Sequence, residues 1–291
     1  MAKIIDGKAI ALELQEEMKS KVEKLKSEGV VPGLTAILVG DDPASNIYVN
    51  NKERACERVG IYSDVRRLPA TTSEDELLAL IDEMNNSDKI HGILVQLPLP
   101  DQIDEQKVLL RIDPDKDVDG FHPVNVGKMV VGQPGFLPCT PHGCKVLLER
   151  SGVETKGKHL VMLGRSNIVG KPLANIMVQK DEGANSVVTI CHTAADDISY
   201  YTKQADILVV AAGRPNVVTA DMVKDGVVVI DVGMNRIKDD TRKSGSRFVG
   251  DVDFDAVSKK ASAITPVPGG VGPMTITMLL HNTIHSAERS Q

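Results

Sequence analysis

The sequence predicts an α/β protein made of two α/β domains, the second of which is a doubly wound parallel sheet. Short apolar runs bounded by glycine or proline alternate with amphipathic stretches along the chain, which is the pattern of βαβ units. Five such runs follow one another in the second half. A length of 291 residues also suits two domains.

The composition indicates a cytoplasmic protein. Hydrophobic residues at 42% and charged residues at 25% are typical of globular domains. A net charge of −6 provides no basic surface for nucleic acid or for an anionic membrane. The N-terminus lacks a signal-peptide pattern, and no apolar segment reaches the roughly 20 residues that span a bilayer. The four cysteines have spacings unlike those of zinc or redox pairs, so we expect reduced thiols.

In the first half, apolar residues recur every three or four positions from Asp6 to Gly29, which predicts a helix. The apolar run 34–40 predicts a buried strand. A capping box of Ser73 and Glu76 opens a predicted helix over 72–86. The other expected elements of this half are a helix over 42–60 and a strand over 90–100.

In the second half, the apolar runs predict five strands with helices between them. The predicted strands are 159–164, 186–192, 205–213, 227–233 and 262–267, and the helices begin near Val169, Asp196, Thr219 and Asp253. The stretch 135–143, with two prolines, is the expected domain boundary. TPVPGGVGPMT (265–275) alternates prolines and glycines, which predicts an irregular loop with Pro273 in the first turn of the final helix.

The segment GRSNIVGKP (164–172) follows a predicted strand and opens a helix, where a doubly wound sheet binds a dinucleotide phosphate. Its spacing differs from G-x-G-x-x-G, so an ordinary strand-to-helix turn is the alternative. The next strand ends in Thr193, without the acidic residue typical of NAD sites. Arg165 in the turn therefore favours a 2′-phosphate, or else it is a solvated loop residue.

The segment YVNNK places Tyr48 and Lys52 four residues apart on one helix face. Burial beside a phenol would lower the pKa of the lysine and prepare it for proton transfer, whereas an exposed pair would have no such role. Y-x-x-x-K also occurs in short-chain dehydrogenases. In those enzymes the glycine turn precedes the tyrosine, and here it follows.

The segment DPDKDVDGFHP (113–123) begins like a calcium loop, but Val126 stands where the bidentate glutamate belongs and Pro123 interrupts the loop. We therefore exclude calcium. Asp119 is the candidate for accepting hydrogen bonds from a nitrogen-rich ligand, and Asp113 and Asp115 are expected in a solvated acidic turn.

The segment VQLPLP ends a predicted strand with Gln96, at the sheet edge where open α/β sheets bind ligands. His281 and His285 share a predicted helix face, but the glutamate of a zinc protease is missing between them. We expect them to be surface or capping residues, and we expect no metal site.

Together, YVNNK, VQLPLP, DVDGFHPVNVGKM, PCTPHG, GRSNIVGKP, GDVDF and ITPVPGGVGPMT resemble the methylenetetrahydrofolate dehydrogenase/cyclohydrolase family, in family order from about residue 3 to residue 286. The resemblance implies a catalytic, folate-binding domain over 1–138, completed by a C-terminal helix over 273–291. It implies a Rossmann-type NADP-binding domain over 139–272, an active-site cleft between the domains, and a homodimer formed largely through the cofactor domains.

The implied chemistry has two steps. NADP oxidises 5,10-methylenetetrahydrofolate to the methenyl cation, and water opens that cation to 10-formyltetrahydrofolate, within one-carbon metabolism and purine biosynthesis. Hydride transfer needs only alignment of the two rings, so proton handling belongs to the second step. The alternatives are a monofunctional dehydrogenase and a catalytically silent folate- or nucleotide-binding protein.

By motif, Lys52 would transfer the proton of hydrolysis, Tyr48 would align the folate ring, Gln96 would hold the lysine and Asp119 would bind the pterin. Arg165 and Ser166 would meet the cofactor phosphates. The implied substrate-binding residues are Tyr48, Gln96, Leu97, Pro98, Asp119, Pro268, Gly269 and Gly270. The implied cofactor-binding residues are Gly164, Arg165, Ser166, Ile168, Val169, Thr193, Ala212, Gly213, Met234 and Gly272. Thr193 and Ala194 stand where family members often carry a basic pair or a hydroxyl residue followed by a basic one, which leaves NAD as an alternative to NADP.

Overall fold

The structure is a computed structural model that describes residues 2–242 and 245–290. The chain forms two compact units. The six-stranded unit comprises Met1–Ala11 and Thr140–Thr275, and the three-stranded unit comprises Leu12–Cys139 and Ile276–Gln291. The implied division at 138/139 and 272/273 differs from this one mainly at the N-terminus, because the first eleven residues belong to the six-stranded unit.

Helices and strands alternate along the chain. The helices are α1 (Gly7–Ser27), α2 (Pro43–Val59), α3 (Glu74–Asn85), α4 (Glu105–Arg111), α5 (Pro123–Val130), α6 (Cys139–Arg150), α7 (Gly170–Met177), α8 (Ile198–Thr202), α9 (Phe254–Val257) and α10 (Val271–Arg289). The strands are β1 (Lys3–Ile4), β2 (Gly33–Val39), β3 (Tyr62–Leu68), β4 (Gly92–Val95), β5 (His159–Leu163), β6 (Val187–Cys191), β7 (Ile207–Val210), β8 (Val228–Asp231), β9 (Asn235–Lys238), β10 (Ser246–Val249) and β11 (Ala263–Ile264).

The three-stranded unit is built on the parallel sheet β3-β2-β4. Every residue of the central strand β2 is buried, as expected for an aliphatic strand covered on both faces. Ile37 and Val39 of this strand pack against Leu77 and Ile81 of α3. The predicted capping box opens α3: the Ser73 hydroxyl accepts from the Glu76 amide at 3.3 Å, and the Glu76 carboxylate accepts from the Ser73 amide at 2.8 Å.

The six-stranded unit contains an entirely parallel sheet in the order β1-β11-β8-β7-β5-β6. The chain passes from β5 to β6 on one side and then crosses to β7 on the other side of β5. The carboxyl ends of β5 and β7 therefore mark the switch point where such sheets bind ligands. The predicted doubly wound α/β fold is confirmed.

Several element predictions need correction. The predicted strand 90–100 ends at Val95, because Pro98 and Pro100 cannot donate ladder hydrogen bonds. The predicted loop 265–275 becomes helix from Val271, and Pro273 fits there because amides in the first helical turn lack a partner within the helix. The helix expected near Thr219 is a 3₁₀ turn over Ala220–Met222. Among the described residues no helix is long and apolar enough to cross a bilayer.

Other elements were not predicted at all. Strand β3 was missed because its charged residues hide the alternating pattern, and β1 because it has only two residues. The antiparallel hairpin β9–β10 lies in a polar stretch that carries no apolar signal. Helices α4 and α5 were missed too, and α6 begins inside the expected boundary 135–143.

Candidate functional site

Lys52 lies in the third turn of α2, a helix whose start and end are both fixed locally. Asp42 accepts from the Ser45 amide at 2.7 Å at the N-terminus, and Gly60 ends the helix with φ 88°. The Lys52 side chain is half-buried, and its Nζ donates to Gln96 Oε1 at 3.0 Å. A lysine in this position keeps one strong hydrogen bond while losing much of its contact with water.

Gln96 directly follows β4, so it stands at the carboxyl edge of the three-stranded sheet. Its backbone amide still bonds to Ile37 O at 2.8 Å, which holds the residue in register beyond the end of the strand. Its side-chain Nε2 donates to Leu97 O at 2.8 Å. The amide is thereby oriented with its oxygen free to accept from Lys52.

Asp119 reaches the same edge through a segment that runs beside β4, where Ile93 N donates to Lys116 O at 2.9 Å. The half-buried carboxylate of Asp119 interacts electrostatically with Lys52 and lies beside the Cys139 thiol. The structure therefore brings together Lys52, Gln96 and Asp119, which the sequence placed in three separate motifs.

Burial shifts both charged members of this cluster toward their neutral forms. Desolvation lowers the pKa of Lys52 below its ordinary value, and the nearby Asp119 carboxylate opposes that shift. Desolvation raises the pKa of Asp119, and this shift is opposed by the charge of Lys52 and by the neighbouring Cys139 thiol. An amine with a lowered pKa beside an amide and a carboxyl group gives up its proton more readily than an ordinary lysine, and can therefore accept and return one during a reaction.

Three predicted site residues lie close in sequence to Lys52 or Gln96 and are more exposed to solvent: Tyr48, Leu97 and Pro98. Tyr48 lies one turn before Lys52 on α2 and its residue surface is 40% exposed. Leu97 is half-buried and Pro98 is exposed. The side chains of these three residues are therefore accessible to a bound ligand.

The segment 113–119 separates into solvated and buried carboxylates. Asp113 and Asp115 are exposed, in agreement with the expected solvated turn. Asp117 is buried, and its carboxylate accepts from His122 N at 2.8 Å and from Asn125 Nδ2 at 2.9 Å. Burial raises the pKa of Asp117 to about 6. The sequence did not distinguish this structural carboxylate from its neighbours.

In the six-stranded unit, the predicted phosphate turn leaves the end of β5 at the switch point. Gly164 has φ 134°, and a Cβ there would lie 2.3 Å from Ala211 O, so only glycine fits. The Ser166 hydroxyl accepts from Val169 N at 3.1 Å just before α7 begins. The turn thus places an exposed serine and the exposed Arg165 at the N-terminus of a helix.

The neighbouring cofactor candidates lie on the same edge. Ile168 is 49% exposed and Val169 is half-buried. Thr193, which follows β6, is exposed. The residue before Thr193 is His192, and its Nε2 lies 3.4 Å from Arg165 Nη1. The exposed guanidinium of Arg165 therefore lies beside His192 at the carboxyl end of β6.

Ala212, Gly213 and Met234 occupy the loops after β7 and β8. The amides of Ala212 and Gly213 both donate to one carboxylate oxygen of Asp251, at 2.6 and 2.8 Å. Met234 is 40% exposed, and a Cβ at Gly272 would lie 3.3 Å from its terminal methyl carbon. The sheet order makes β5, β7 and β8 adjacent, so these loops line one edge.

Pro268, Gly269 and Gly270 belong to the six-stranded unit and follow β11. The Lys8 amide at the start of α1 donates to Gly269 O at 2.9 Å, which fixes this segment against the N-terminal part of the unit. Pro268 is exposed, Gly269 is half-buried and Gly270 is buried. The other predicted substrate residues lie in the three-stranded unit; they are Tyr48, Gln96, Leu97, Pro98 and Asp119.

Sequence reasoning missed three buried residues that organise these edges. Asn282 of α10 donates to Val118 O at 2.8 Å and to Leu137 O at 3.0 Å, beside Asp119. Cys139 donates to Val118 O at 3.3 Å. Asp251 holds the loop after β7. Cys139 and Asp251 stand in the quoted motifs PCTPHG and GDVDF, which were given no chemical role.

Sequence and structure comparisons agree across the chain. Residues 5–119 match the model of the tetrahydrofolate dehydrogenase/cyclohydrolase catalytic domain, and residues 138–291 match that of the family's NAD(P)-binding domain. The bifunctional protein FolD of Chlorobium luteolum is 59% identical over 290 residues, covering 99% of this chain and 98% of that protein.

Two solved structures extend the comparison to three dimensions. The bifunctional methylenetetrahydrofolate dehydrogenase/cyclohydrolase of Campylobacter jejuni has a TM-score of 0.94 at 51% identity, with both chains covered completely. The Trypanosoma brucei dehydrogenase-cyclohydrolase, complexed with NADP and an inhibitor, has a TM-score of 0.93 at 40% identity, with 99% of this chain and 98% of that chain covered. The chain therefore belongs to the tetrahydrofolate dehydrogenase/cyclohydrolase family.

Proposed function

We propose that this chain oxidises 5,10-methylenetetrahydrofolate and then hydrolyses the product. NADP, when bound, accepts the hydride from the methylene carbon and leaves the methenyl cation. Water then adds to that cation, a proton leaves, and ring opening gives 10-formyltetrahydrofolate. The observation that carries the proposal is the cluster of Lys52, Gln96 and Asp119, because its half-buried amine has a lowered pKa.

Lys52 is the proposed proton-transfer residue of the hydrolytic step. In its neutral form the amine takes a proton from the attacking water and returns it to the departing ring nitrogen. Gln96 holds Nζ in place through the 3.0 Å hydrogen bond. Because Gln96 is uncharged, it orients the amine without stabilising its ammonium form as a carboxylate would.

Asp119 and Tyr48 are the proposed folate-binding residues beside the amine, together with Leu97 and Pro98. A carboxylate suits the pterin because the pterin edge presents several N–H donors. Tyr48 offers a ring face for alignment of the folate. Pro268, Gly269 and Gly270, which follow β11 in the six-stranded unit, complete the proposed substrate contacts.

The residues of the β5–α7 turn fit NADP. Gly164 keeps the turn free of a side chain, and Ser166 and the following amides stand at the N-terminus of α7. Arg165 supplies the proposed contact with the 2′-phosphate. Ile168, Val169, Thr193, Ala212, Gly213, Met234 and Gly272 are the other proposed cofactor contacts.

The proposed setting is the cytoplasm, where Cys56, Cys139, Cys144 and Cys191 would stay reduced. All four are buried free thiols in the structure. Burial raises the pKa of Cys56 and Cys144 to about 12, which keeps these thiols protonated and unreactive. A 10-formyl donor made there would supply purine biosynthesis.

We propose that the protein is a homodimer joined through its six-stranded units. The sheet ends at β6, whose Val187 and Ile190 are 62% and 42% exposed, and the neighbouring Val178 and Tyr200 are 54% and 64% exposed. An apolar edge strand tends to pair or to be covered. Sedimentation equilibrium should give twice the chain mass at micromolar concentration, and Ile190→Lys should shift the protein to monomer; a monomeric wild type would contradict the proposal.

The wild type should reduce NADP with methylenetetrahydrofolate and open the methenyl product, and Lys52→Met should separate these two activities. We expect methenyl hydrolysis to fall by about 10²- to 10⁴-fold, since the proton-transfer group is removed. NADP reduction should stay within about tenfold, because hydride transfer requires only alignment. Absorbance of the nicotinamide and of the methenyl product, followed together, measures both steps.

The matched control is Lys89→Met, an exposed lysine of the same unit, which should leave both activities unchanged. Normal hydrolysis in Lys52→Met would overturn the assigned base. A wild type that reduces NADP without hydrolysis would be a monofunctional dehydrogenase, and thermal stabilisation by ligands without any NADP reduction would indicate a binding protein.

Asp119→Asn should move the ascending limb of the hydrolysis pH profile to lower pH. The Asp119 carboxylate raises the pKa of Lys52 against the larger lowering by burial, so removing its charge lowers that pKa further. The neutral amine then forms at lower pH. The measurement is kcat for methenyl hydrolysis against pH, after subtraction of the uncatalysed rate.

Asp113→Asn provides the control for this profile, since Asp113 is an exposed carboxylate of the same segment. It should leave the limb in place. A limb that stays in place or moves to higher pH in Asp119→Asn would show that the Asp119 carboxylate does not raise the pKa of Lys52 as the structure indicates.

Arg165→Ala should weaken the preference for NADP over NAD. Loss of a charge-assisted contact with the 2′-phosphate should raise KM for NADP by about tenfold or more and leave KM for NAD within about twofold. Arg247→Ala, at an exposed arginine of the same unit, is the control. An equal increase for both dinucleotides would exclude a 2′-phosphate contact.

A further inference from the structure

The motif GDVDF (250–254) contains a completely buried carboxylate, that of Asp251. Asp251 has 0% exposure. Its Oδ2 accepts from the amides of Ala212 and Gly213 at 2.6 and 2.8 Å, and its Oδ1 accepts from Asn235 Nδ2 at 2.7 Å. One side chain therefore ties the loop after β7 to the first residue of β9, which directly follows the loop after β8.

The backbone around Asp251 is adapted to this arrangement. A Cβ at Gly233 would lie 2.3 Å from Cγ of Asp251, so the loop after β8 can approach the carboxylate only with glycine there. The Asp251 amide in turn donates to Asp231 Oδ1 at 3.0 Å. The Asp231 amide donates to Thr265 Oγ1 at 2.8 Å, at the end of β11.

We infer that Asp251 is a positioning residue of the dehydrogenase reaction, because it fixes the Ala212–Gly213 turn in the conformation that receives the dinucleotide. The inference rests on the proposed function, in which Ala212, Gly213 and Met234 contact NADP. Asn235, which follows Met234, is the side-chain partner of Asp251 in this arrangement. Asp251 acts through these backbone groups and does not contact the reacting atoms.

A carboxylate is the side chain that this geometry requires. It is an acceptor on both oxygens, and all three partners are donors. In Asp251→Asn, an oxygen that still faces Ala212 and Gly213 carries no full negative charge, so both of its hydrogen bonds weaken. The new NH₂ group faces Asn235, whose side-chain amide must turn over before its oxygen can accept, so the link between the loops weakens as well. If the competent arrangement is occupied for only about a tenth of the time, the apparent Kd rises about tenfold.

The reciprocal exchange should restore the link. In the double variant Asp251→Asn with Asn235→Asp, the new amide at 251 donates to the new carboxylate at 235 and still accepts from both backbone amides. The total charge is unchanged. Asp253→Asn is the matched control, because Asp253 lies in the same motif and caps α9 by accepting from Ala256 N at 3.2 Å, a role that asparagine also fills.

The test measures NADP binding to the full chain by isothermal titration calorimetry, and methenyl hydrolysis without dinucleotide. We expect Asp251→Asn to raise the Kd about tenfold and to keep hydrolysis within about twofold. The double variant should return the Kd to within about threefold of the wild type, and Asp253→Asn should match the wild type. This pattern would support positioning.

Wild-type NADP affinity in Asp251→Asn, failure of the exchange to restore binding, or a parallel loss of hydrolysis would each overturn the inference. If Asp251→Asn does not fold, Asn235→Ala removes one donor and leaves the Ala212 and Gly213 bonds; it should raise the Kd by about threefold, and an unchanged Kd would overturn the inference too. A wild type that binds NADP without oxidising methylenetetrahydrofolate would contradict the proposed function alone, because the binding comparison remains decisive.

Discussion

Buried carboxylates that accept hydrogen bonds from backbone amides hold the loops at the carboxyl edges of both sheets. In the three-stranded unit, Asp117 binds the amide of His122 and the side chain of Asn125, directly before Asp119. In the six-stranded unit, Asp231 and Asp251 bind the loops after β7 and β8. Parallel strands deliver these loops to one edge, and the carboxylates supply the acceptors that the loop amides would otherwise lack.

This device has an electrostatic cost that depends on pH. Burial raises the pKa of Asp117 and of Asp231 to about 6, from 3.8. A carboxyl group whose pKa is higher in the folded state favours folding most at acidic pH, and that contribution is lost as pH rises from about 4 to about 6. Above that range the amide donors must offset the burial of the charge, which explains why each carboxylate accepts several hydrogen bonds.

The sequence predicted those features whose signal is local. Apolar runs located the central strands, and the pair Ser73 and Glu76 located the start of α3. Motif resemblance predicted that Lys52, Gln96 and Asp119 act together, and the structure places them side by side. It did not predict the roles of Asp117 and Asp251, because an aspartate in an acidic stretch has the same local appearance whether buried or solvated. Strand β3 was hidden for the related reason that its charged side chains lie at a partly exposed edge.

The first strand of the chain, β1, pairs with the last, β11, and α10 supplies the C-terminal part of the three-stranded unit. During synthesis on the ribosome, neither unit can be completed until its C-terminal segment has been made, because each unit combines two segments that are distant in the sequence. The six-stranded sheet lacks the strand between β1 and β8 until Ala263 and Ile264 have been synthesised. The three-stranded unit lacks its C-terminal helix until α10 has been synthesised. Neither unit can therefore complete its fold until its own C-terminal segment, β11 in one case and α10 in the other, has been synthesised.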